Sequence, residues 1–389
     1  MNEPILISGA GIAGLTLAYW LARHGFRAVV VERAETLRTG GNGVDVRGQA
    51  SEVAERMGIM SRVRALTADV LGIKFVDAAD RAVARVDMRT LDPASVEIMR
   101  GDLVALLREV TDAEILFGDS IRGLEQDDDG VTVAFEKAPP RRFDLVAGAD
   151  GMHSQVRRLA FGAEEEFVRH KDHYFAFANA DAALGEDRWV TMFNTPGRLA
   201  GIYRSGNHAQ AKAYFAFRSA PLDYDHRDPS AHKRLVSDAF SDQTSWRTRE
   251  LLDSALADPD FYFDACAQVQ MTSWSAGRVV LTGDAAWCAS PASGAGAELA
   301  LVGAYRLAGE LAAAGGDYRS AFNRYDAAHR PRVAARQQIG PNLRLMVPRT
   351  KAGRRARNVL TRLPLLKAAS AVERRVQAKN ARPLPEYAS

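Results

Sequence analysis

The sequence contains little cysteine and no cysteine motif. Cys266 and Cys288 are the two cysteines among 389 residues. They form no Cys-x-x-Cys pair, and no Cys/His cluster has the spacing of zinc ligands. Neither a disulfide framework nor a bound metal is therefore expected, and we predict two buried, reduced thiols.

Long uninterrupted apolar runs and a strong charge imbalance are also missing. No stretch reaches the ~18 apolar residues of a membrane span. The apolar segment 5–21 follows Glu3 and lacks the basic region of a signal peptide, so we expect a cytoplasmic protein. With 51 basic and 48 acidic residues the net charge is +3, which gives no reason to expect nucleic acid as a partner.

The N-terminal segment has the pattern of a βαβ unit. Residues 4–8 form a short apolar run, typical of a buried parallel strand. The glycine-rich turn 9–14 leads into an apolar helix, and a second apolar run, 27–31, ends at Glu32 and Arg33. A G-x-G-x-x-G turn in this position indicates dinucleotide binding.

The positions of this turn have separate physical tasks. The first glycine allows a tight turn, the second lets the backbone approach a pyrophosphate, and the third brings the helix close to the strand. The free N–H groups at the helix start suit phosphates. Glu32 can accept hydrogen bonds from both ribose hydroxyls, which leaves FAD and NAD open. The predicted cofactor contacts are Gly9, Gly11, Ile12, Ala13 and Gly14 in the turn, and Glu32 and Arg33 after the second strand.

Two later apolar runs end in an acidic residue. Residues 143–149 lead into Asp150-Gly151, and residues 277–282 lead into Gly283-Asp284. A carboxylate at a strand end can hold ribityl hydroxyls, and a glycine-rich helix start can face the flavin pyrimidine ring, where negative charge grows on reduction. NAD needs neither device, so FAD is favoured. The predicted contacts are Asp150, Gly283, Asp284, Pro291, Gly294, Ala295 and Gly296.

With these motifs in this order, the chain resembles the flavin-dependent aromatic hydroxylases, the family of para-hydroxybenzoate hydroxylase and the tetracycline-inactivating monooxygenases. The resemblance spans roughly residues 3–338. It implies that Glu32 holds the adenosine ribose and that Arg100 and Asp284 contact the FAD chain. It also implies that Pro291, Gly294 and Gly296 line the isoalloxazine. For the loop after the second strand it implies FAD or NAD(P)H contacts, with a solvated loop as the alternative; the residues are Arg38, Asp45 and Arg47.

The chain departs from the family pattern at three places. Trp287 follows Gly-Asp-Ala-Ala where the family often has His, and Glu298 follows the last glycine motif where the family often has Asn. Gly303-Ala304 stands where the family often has Asp-Ala. These changes bear on the substrate and flavin-edge contacts, not on the motifs that bind the cofactor.

The predicted fold is an α/β, doubly wound FAD-binding Rossmann-like domain of the glutathione-reductase type, with an inserted antiparallel β-sheet substrate domain and a C-terminal helix. We predict the FAD domain at 1–165 and 265–340, the substrate domain at 166–264 and the helical segment at 341–389. Four period-two runs between residues 173 and 218 predict antiparallel strands. Candidate substrate contacts on this sheet are Phe175, Met192, Tyr203 and Tyr214.

A basic stretch with interleaved leucines lies between Arg349 and Lys367. One interpretation is an amphipathic helix that braces both domains. The other is a peripheral contact with a membrane or an acidic partner. Pro364 interrupts a continuous helical face and favours the brace.

The resemblance implies an FAD-dependent monooxygenase that uses NAD(P)H, with NADPH favoured, and O₂. It would hydroxylate an aromatic or polyketide-type small molecule through a flavin hydroperoxide. A single G-x-G-x-x-G is present at a strand–helix turn, so NAD(P)H is expected to dock without a domain of its own. Because the cofactor carries the chemistry, no catalytic side chain is predicted.

Two alternatives remain open at this point. One is an FAD-dependent dehydrogenase or reductase without oxygen insertion, and the other is a non-catalytic flavoprotein that sequesters an aromatic ligand. We expect a monomer or a homodimer.

Overall fold

The computed structural model describes residues 3–37, 40–88, 95–338, 342–361 and 383–387. The strands in these ranges are β1 Ile5–Ser8, β2 Ala28–Glu32, β3 Gly43–Val46, β4 Gly72–Val76, β5 Ala82–Asp87, β6 Val96–Met99, β7 Glu114–Phe117, β8 Ile121–Gln126, β9 Val131–Phe135, β10 Arg141–Phe143, β11 Leu145–Gly148, β12 Val168–Ala180, β13 Trp189–Thr195, β14 Arg198–Tyr203, β15 Ala211–Arg218, β16 Tyr262–Val269, β17 Ser275–Ala276 and β18 Val279–Leu281. The helices are α1 Ile12–Arg23, α2 Gln49–Arg56, α3 Met60–Ala65, α4 Arg100–Val110, α5 Gln155–Ala160, α6 Pro229–Phe240, α7 Thr248–Ala257, α8 Asp284–Trp287, α9 Gly296–Ala313, α10 Tyr318–Gln337, α11 Asn342–Met346 and α12 Lys351–Leu360.

A six-stranded sheet of order β17-β18-β11-β1-β2-β7 forms the first lobe. Its neighbours pair in parallel, apart from the short antiparallel pair β17–β18. The central strands β1 and β11 are buried along their whole length, which explains why they are continuous apolar runs in the sequence. Helices α1, α4 and α9 pack together on this sheet. The predicted doubly wound FAD-type fold is confirmed, and its ligand edge is the carboxyl end of β1, β11 and β18.

A seven-stranded sheet of order β16-β12-β15-β14-β13-β4-β5 forms the second lobe. The four predicted antiparallel strands are β12 to β15, as expected. Alternation of side chains gives this sheet two different faces. On one face Phe215 and Phe217 pack against Phe240 of α6. The other face turns toward the first lobe and carries the side chains that matter for the site.

This sheet also takes in segments from outside the predicted range 166–264. β4 and β5 come from residues 72–87, and β4 pairs in parallel with β13. β16 extends the sheet on its other side up to Val269. Strand patterns in the sequence do not name the pairing partner, because that choice depends on tertiary packing. The domain boundaries themselves stay a prediction.

The C-terminal segments contact both lobes. In α12 the Arg357 guanidinium lies 3.7 Å from the centre of the Phe75 ring in the second lobe. In the first lobe the Tyr387 hydroxyl donates to Glu310 of α9 at 2.8 Å. These contacts support the brace interpretation, while Pro364 and Lys367 lie outside the described residues. No helix in the described part of the chain is both long and apolar enough to cross a bilayer.

Candidate cofactor and substrate site

The glycine turn between β1 and α1 needs glycine for two measurable reasons. Gly9 has a φ of +103°, a conformation that side chains disfavour. A Cβ on Gly14 would lie 1.9 Å from the carbonyl oxygen of Gly9. The helix begins at Ile12, and its N-cap Gly11 provides no side-chain hydrogen bond. The first N–H groups of α1 therefore remain available for phosphate oxygens.

Glu32 is fixed at the end of β2 beside this turn. Its two carboxylate oxygens accept the N–H groups of Ala10 at 2.8 Å and Ala34 at 2.9 Å. Each oxygen keeps a further acceptor site, so ribose hydroxyls can still bind there. Arg33 follows at the exposed surface.

Arg100 and Asp284 are brought to the same turn. Gly283 has a φ of +63°, and a Cβ there would lie 2.7 Å from the Cβ of Ala13. The strand end that carries Asp284 therefore packs on the first turn of α1. The Arg100 guanidinium lies 3.8 Å from the position of a Cβ on Gly11. Burial raises the pKa of Asp284, and the charge of Arg100 lowers it.

Asp284 has a large accessible surface although protein surrounds it. Tyr262 shows the same combination, with 38% of its surface exposed. We therefore infer that both side chains face an open space between the lobes, called here the chamber. Burial raises the pKa of the Tyr262 hydroxyl, the nearby charge of Arg100 lowers it, and that of Asp284 raises it. These interactions place the chamber between the cofactor edge and the second sheet.

The loop before α9 has the shape expected for a flavin-ring site. Gly294 is left-handed, with a φ of +59°, and Ala295 is the N-cap of α9, which starts at Gly296. The short turn that opens the loop begins at Pro291. Ser290, just before it, has a buried hydroxyl without a hydrogen-bond partner among the described residues.

Asp45 and Arg47 lie against this loop and not in solvent. Arg47 donates from Nη2 to the Gly294 carbonyl at 3.3 Å. The Asp45 Oδ2 atom lies 3.6 Å from the position of a Cβ on Gly294. The solvated-loop alternative is therefore disfavoured for these two residues. Arg38 lies outside the described residues.

Together these groups fit FAD by shape and by donor chemistry. The glycine turn and the α1 terminus suit a pyrophosphate, Glu32 suits a ribose, and the Arg100–Asp284 pair stands between them and the glycine loop. The partnerless Ser290 hydroxyl is a polar group that a bound flavin could satisfy. The individual contacts with FAD stay predictions.

Asp150 has a different environment from the other predicted contacts. Its carboxylate accepts the Ser154 hydroxyl at 2.5 Å, the Val156 N–H at 3.1 Å and the Ser8 hydroxyl at 3.4 Å. These donors give it a structural role at the start of α5. Arg157 of the same motif is buried and donates to the Ala285 carbonyl at 2.9 Å. Segment 150–157 thus connects the end of β11, which carries Asp150, with the end of β18, which leads to Asp284.

The chamber face of the second sheet carries a row of aromatic rings, called here the aromatic wall. Ring centroids are 6.1 Å apart for Tyr203 and Tyr214, 4.6 Å for Tyr214 and Phe177, and 6.1 Å for Phe177 and Tyr262. Phe175 adjoins the row, 5.1 Å from Phe177. Tyr262 was missed in the sequence.

The four predicted substrate residues lie on this one face of the sheet. In the strand register Met192 pairs with Gly201, which pairs with Tyr214 on the next strand. Met192 and Tyr203 are 7% and 4% exposed, within a small core that includes Phe75. Their packing is mainly structural, and a substrate contact stays a prediction for each residue.

The three departures from the family pattern become understandable in the structure. Trp287 is 1% exposed, and its Cζ2 atom lies 2.7 Å from the position of a Cβ on Gly303. The tryptophan and the glycine thus share one space in the core. The carboxylate of Glu298 is 1% exposed and forms ion pairs with three arginines, Arg47, Arg332 and Arg336. It therefore links the glycine loop to α10.

A polar network unnoticed in the sequence joins the lobes behind Tyr262. The Tyr262 hydroxyl donates to Asp264 at 2.9 Å, and Asp264 lies 3.1 Å from His153 Nε2. His153 Nδ1 lies 2.8 Å from Glu164. Burial disfavours the imidazolium, but its hydrogen bonds to the carboxylates of Asp264 and Glu164 outweigh this effect and raise the pKa of His153 to about 9.

Potential metal ligands also converge in this network. Atoms of His153, Glu164 and His226 lie within 4.8 Å of one another. Both ring nitrogens of His153 already face carboxylates, so the charged histidine explains the cluster. Sequence spacing gave no signal of it, because the partners come from separate elements.

The fold and the site define a class: a flavoprotein with one dinucleotide-binding sheet and a second sheet that closes over the flavin edge. Residues 2–339 match the family described as FAD binding domain, and the chain belongs to this family. It is 42% identical over 337 residues to an uncharacterised protein of Mycobacterium tuberculosis strain H37Rv, covering 84% of this chain and 89% of the relative.

Two further relatives carry a stated activity. The chain is 39% identical over 345 residues to a flavin-dependent monooxygenase of Legionella longbeachae, covering 87% of this chain and 88% of the relative. The crystal structure of tetracycline destructase Tet(51) superposes with a TM-score of 0.85 at 34% identity, over 100% of both chains. The chain is an FAD-dependent monooxygenase, which confirms the sequence prediction and disfavours both alternatives.

Proposed function

We propose that this monooxygenase takes electrons from NAD(P)H and inserts one oxygen atom of O₂ into a multi-ring aromatic or polyketide-type substrate of the tetracycline kind. The aromatic wall is the observation that carries this proposal. Its four rings, from Tyr203 to Tyr262, form a row longer than a single phenol. Fused rings can pack on such a row by stacked and edge contacts.

The residues of the chain bind and orient the reactants. Bound FAD supplies the oxygen-transfer chemistry. The glycine turn, Glu32, Arg100 and Asp284 would hold the cofactor chain, and the first turn of α9, from Gly296, would present its free backbone N–H groups to the flavin ring. The wall and the loop enclose the chamber between them and exclude water. The Tyr214 and Tyr262 hydroxyls supply polar groups among apolar rings and so orient a substrate that has several oxygens.

NAD(P)H would dock without a nucleotide-binding sheet of its own. In the described ranges the second large sheet is antiparallel except for the β13–β4 pair. It therefore offers no second βαβ nucleotide fold. Asp45 and Arg47, beside the glycine loop, are candidates for a transient contact with the nicotinamide nucleotide.

Mass spectrometry with ¹⁸O₂ tests this function. The FAD-loaded protein is incubated with NADPH or NADH and a panel of phenols, anthraquinones and tetracyclines. We expect one labelled oxygen in a multi-ring product and none from water. Substrate-stimulated NAD(P)H consumption without label in any product would contradict the proposal.

A wall variant separates recognition from general damage. Phe177→Ala removes a central ring of the wall and is expected to raise KM for the multi-ring substrate. Leu159→Ala removes an exposed side chain on α5 and serves as the control. Equal KM values for the two variants would argue against the wall as the binding surface.

A further inference from the structure

We propose that Glu97 is a catalytic residue that accepts the proton of a phenolic or enolic hydroxyl of the substrate before oxygen transfer. This inference rests on the proposed function, because it requires an aromatic or polyketide substrate in the chamber. No motif in the sequence pointed to Glu97.

Glu97 lies between the glycine loop and the aromatic wall. In the β3–β6 ribbon it stands directly opposite Asp45, the residue beside Gly294. The Tyr203 hydroxyl donates to its Oε1 atom at 3.1 Å. Its other oxygen, Oε2, has no hydrogen-bond partner within the described residues. The residue is partly exposed, and we infer that a substrate hydroxyl can reach Oε2.

The ribbon is built to accommodate this carboxylate. A Cβ on Gly43 would overlap with Glu97 Oε1, so glycine leaves room for the carboxylate in this orientation. Burial and the charge of Glu97 raise the pKa of the Tyr214 hydroxyl, and the backbone of Gly43 lowers it. The carboxylate is thereby placed beside two tyrosine hydroxyls of the wall, Tyr203 and Tyr214.

The charges around Glu97 favour proton uptake near neutral pH. Two carboxylates opposite each other across a strand pair repel, and a proton on one of them removes the repulsion. Burial and then the charge of Asp45 raise the pKa of Glu97 to about 7, while the Tyr203 hydrogen bond lowers it. The facing groups are Asp45 on β3, Tyr203 on β14 and Tyr214 on β15. A base with this pKa is matched to catalysis near neutrality.

The proposed step is a proton transfer without any redox change. The substrate O–H bond breaks, and its electron pair stays on the substrate oxygen. A new O–H bond forms at Glu97 Oε2, which becomes neutral beside Asp45. The substrate oxyanion donates electron density into the ring, and an electron-rich ring is the better acceptor of an electrophilic oxygen. The proton returns to solvent when the product leaves.

Glu97→Gln tests the step, because glutamine has the same shape but cannot accept the proton. With tetracycline as the probe substrate, kcat of the wild type is expected to rise with pH through about 7. In the variant kcat should fall by about 100-fold and lose this dependence, with little change in KM. Glu109→Gln, an exposed position on α4, should behave like the wild type. A Glu97→Gln enzyme with wild-type kcat and the same pH profile would overturn the proposal.

Tyr203→Phe provides a second variant, in which the pH dependence of kcat should be displaced and not lost. It removes the hydrogen bond that lowers the pKa of Glu97, so the rise of kcat should move to higher pH. A purely structural role of Glu97 predicts no such displacement.

A measurement without turnover separates this proposal from the proposed function. If tetracycline is not oxidised, infrared difference spectra of the FAD-loaded wild type and Glu97→Gln still report the protonated carboxyl. A carbonyl band of Glu97 that titrates near neutral pH, and at lower pH in Asp45→Asn, supports the assignment. A Glu97 that stays ionised across the neutral range overturns it.

Discussion

Replacement of Gly303 by alanine tests whether Gly303 and Trp287 share one space in the core. A Cβ at position 303 would lie 2.7 Å from Trp287 Cζ2 and 3.1 Å from His329 Nε2. Ordinary contacts of a Cβ begin at 3.4 Å. The indole packs against Trp274 and Tyr325, with ring centroids at 4.5 and 5.8 Å. It therefore has little room to move away.

Two effects of opposite sign set the magnitude. Alanine in a helix interior is more favourable than glycine by about 0.5–1 kcal/mol, because an unfolded chain with alanine has less conformational entropy to lose on folding. An additional methyl group in a packed core costs about 1–3 kcal/mol. We expect Gly303→Ala to lower the free energy of unfolding by about 1–2 kcal/mol.

A double-mutant cycle gives this prediction its control. Urea unfolding of the FAD-loaded protein measures how Gly303→Ala changes the free energy of unfolding, once in the wild type and once in a Trp287→Leu background. Leucine lacks the indole atoms that meet the new Cβ, so there the alanine should stabilise by about 0.5–1 kcal/mol. The shared-space explanation is refuted if the alanine changes stability equally in both backgrounds.

Three further substitutions test the network, the turn and the buried ion cluster. The pKa of His153 is raised from 6.5 to about 9. The stability that charged His153 contributes to the fold is therefore fully present below pH 6.5 and is lost as the pH rises through 9. The difference in urea midpoint between wild type and His153→Gln should shrink from about pH 6 to about pH 10; a constant difference would be inconsistent with this. Gly14→Ala should weaken FAD binding about 5- to 150-fold in a flavin fluorescence titration, whereas Gly123→Ala, at an open strand position, should not. Glu298→Gln leaves three arginines without their buried partner and should cost about 2–3 kcal/mol in urea unfolding; an unchanged midpoint would count against the linking role.

The cofactor site could be predicted from the sequence because its requirements are local. A glycine with positive φ, a free helix terminus and an acidic strand end are properties of a few consecutive residues, as at Gly9 and Asp284. The same reasoning also assigned Asp150 to the cofactor. There the nearby donors Ser154 and Val156 take up the carboxylate, and their positions depend on how α5 follows β11.

The substrate side could be predicted only in part. Period-two alternation predicted the strands β12 to β15, and Phe175, Met192, Tyr203 and Tyr214 were candidate substrate contacts on this sheet. It could not show that Met192 and Tyr203 are buried in a small core, because burial depends on what covers the sheet. The 72–87 segment, which pairs with β13 through β4, was not assigned to this sheet for the same reason.

The sequence by itself determined the fold class, the FAD cofactor and the monooxygenase activity, since these follow from short motifs whose geometry the backbone imposes. Tertiary structure alone decided that Glu97 faces Asp45, that His153 lies between two carboxylates, and that Trp287 fills the space of a side chain at Gly303. Each of these depends on a register or a packing contact between distant segments. Such contacts minimise buried charge and empty volume over the whole core, and no local pattern of residues encodes them.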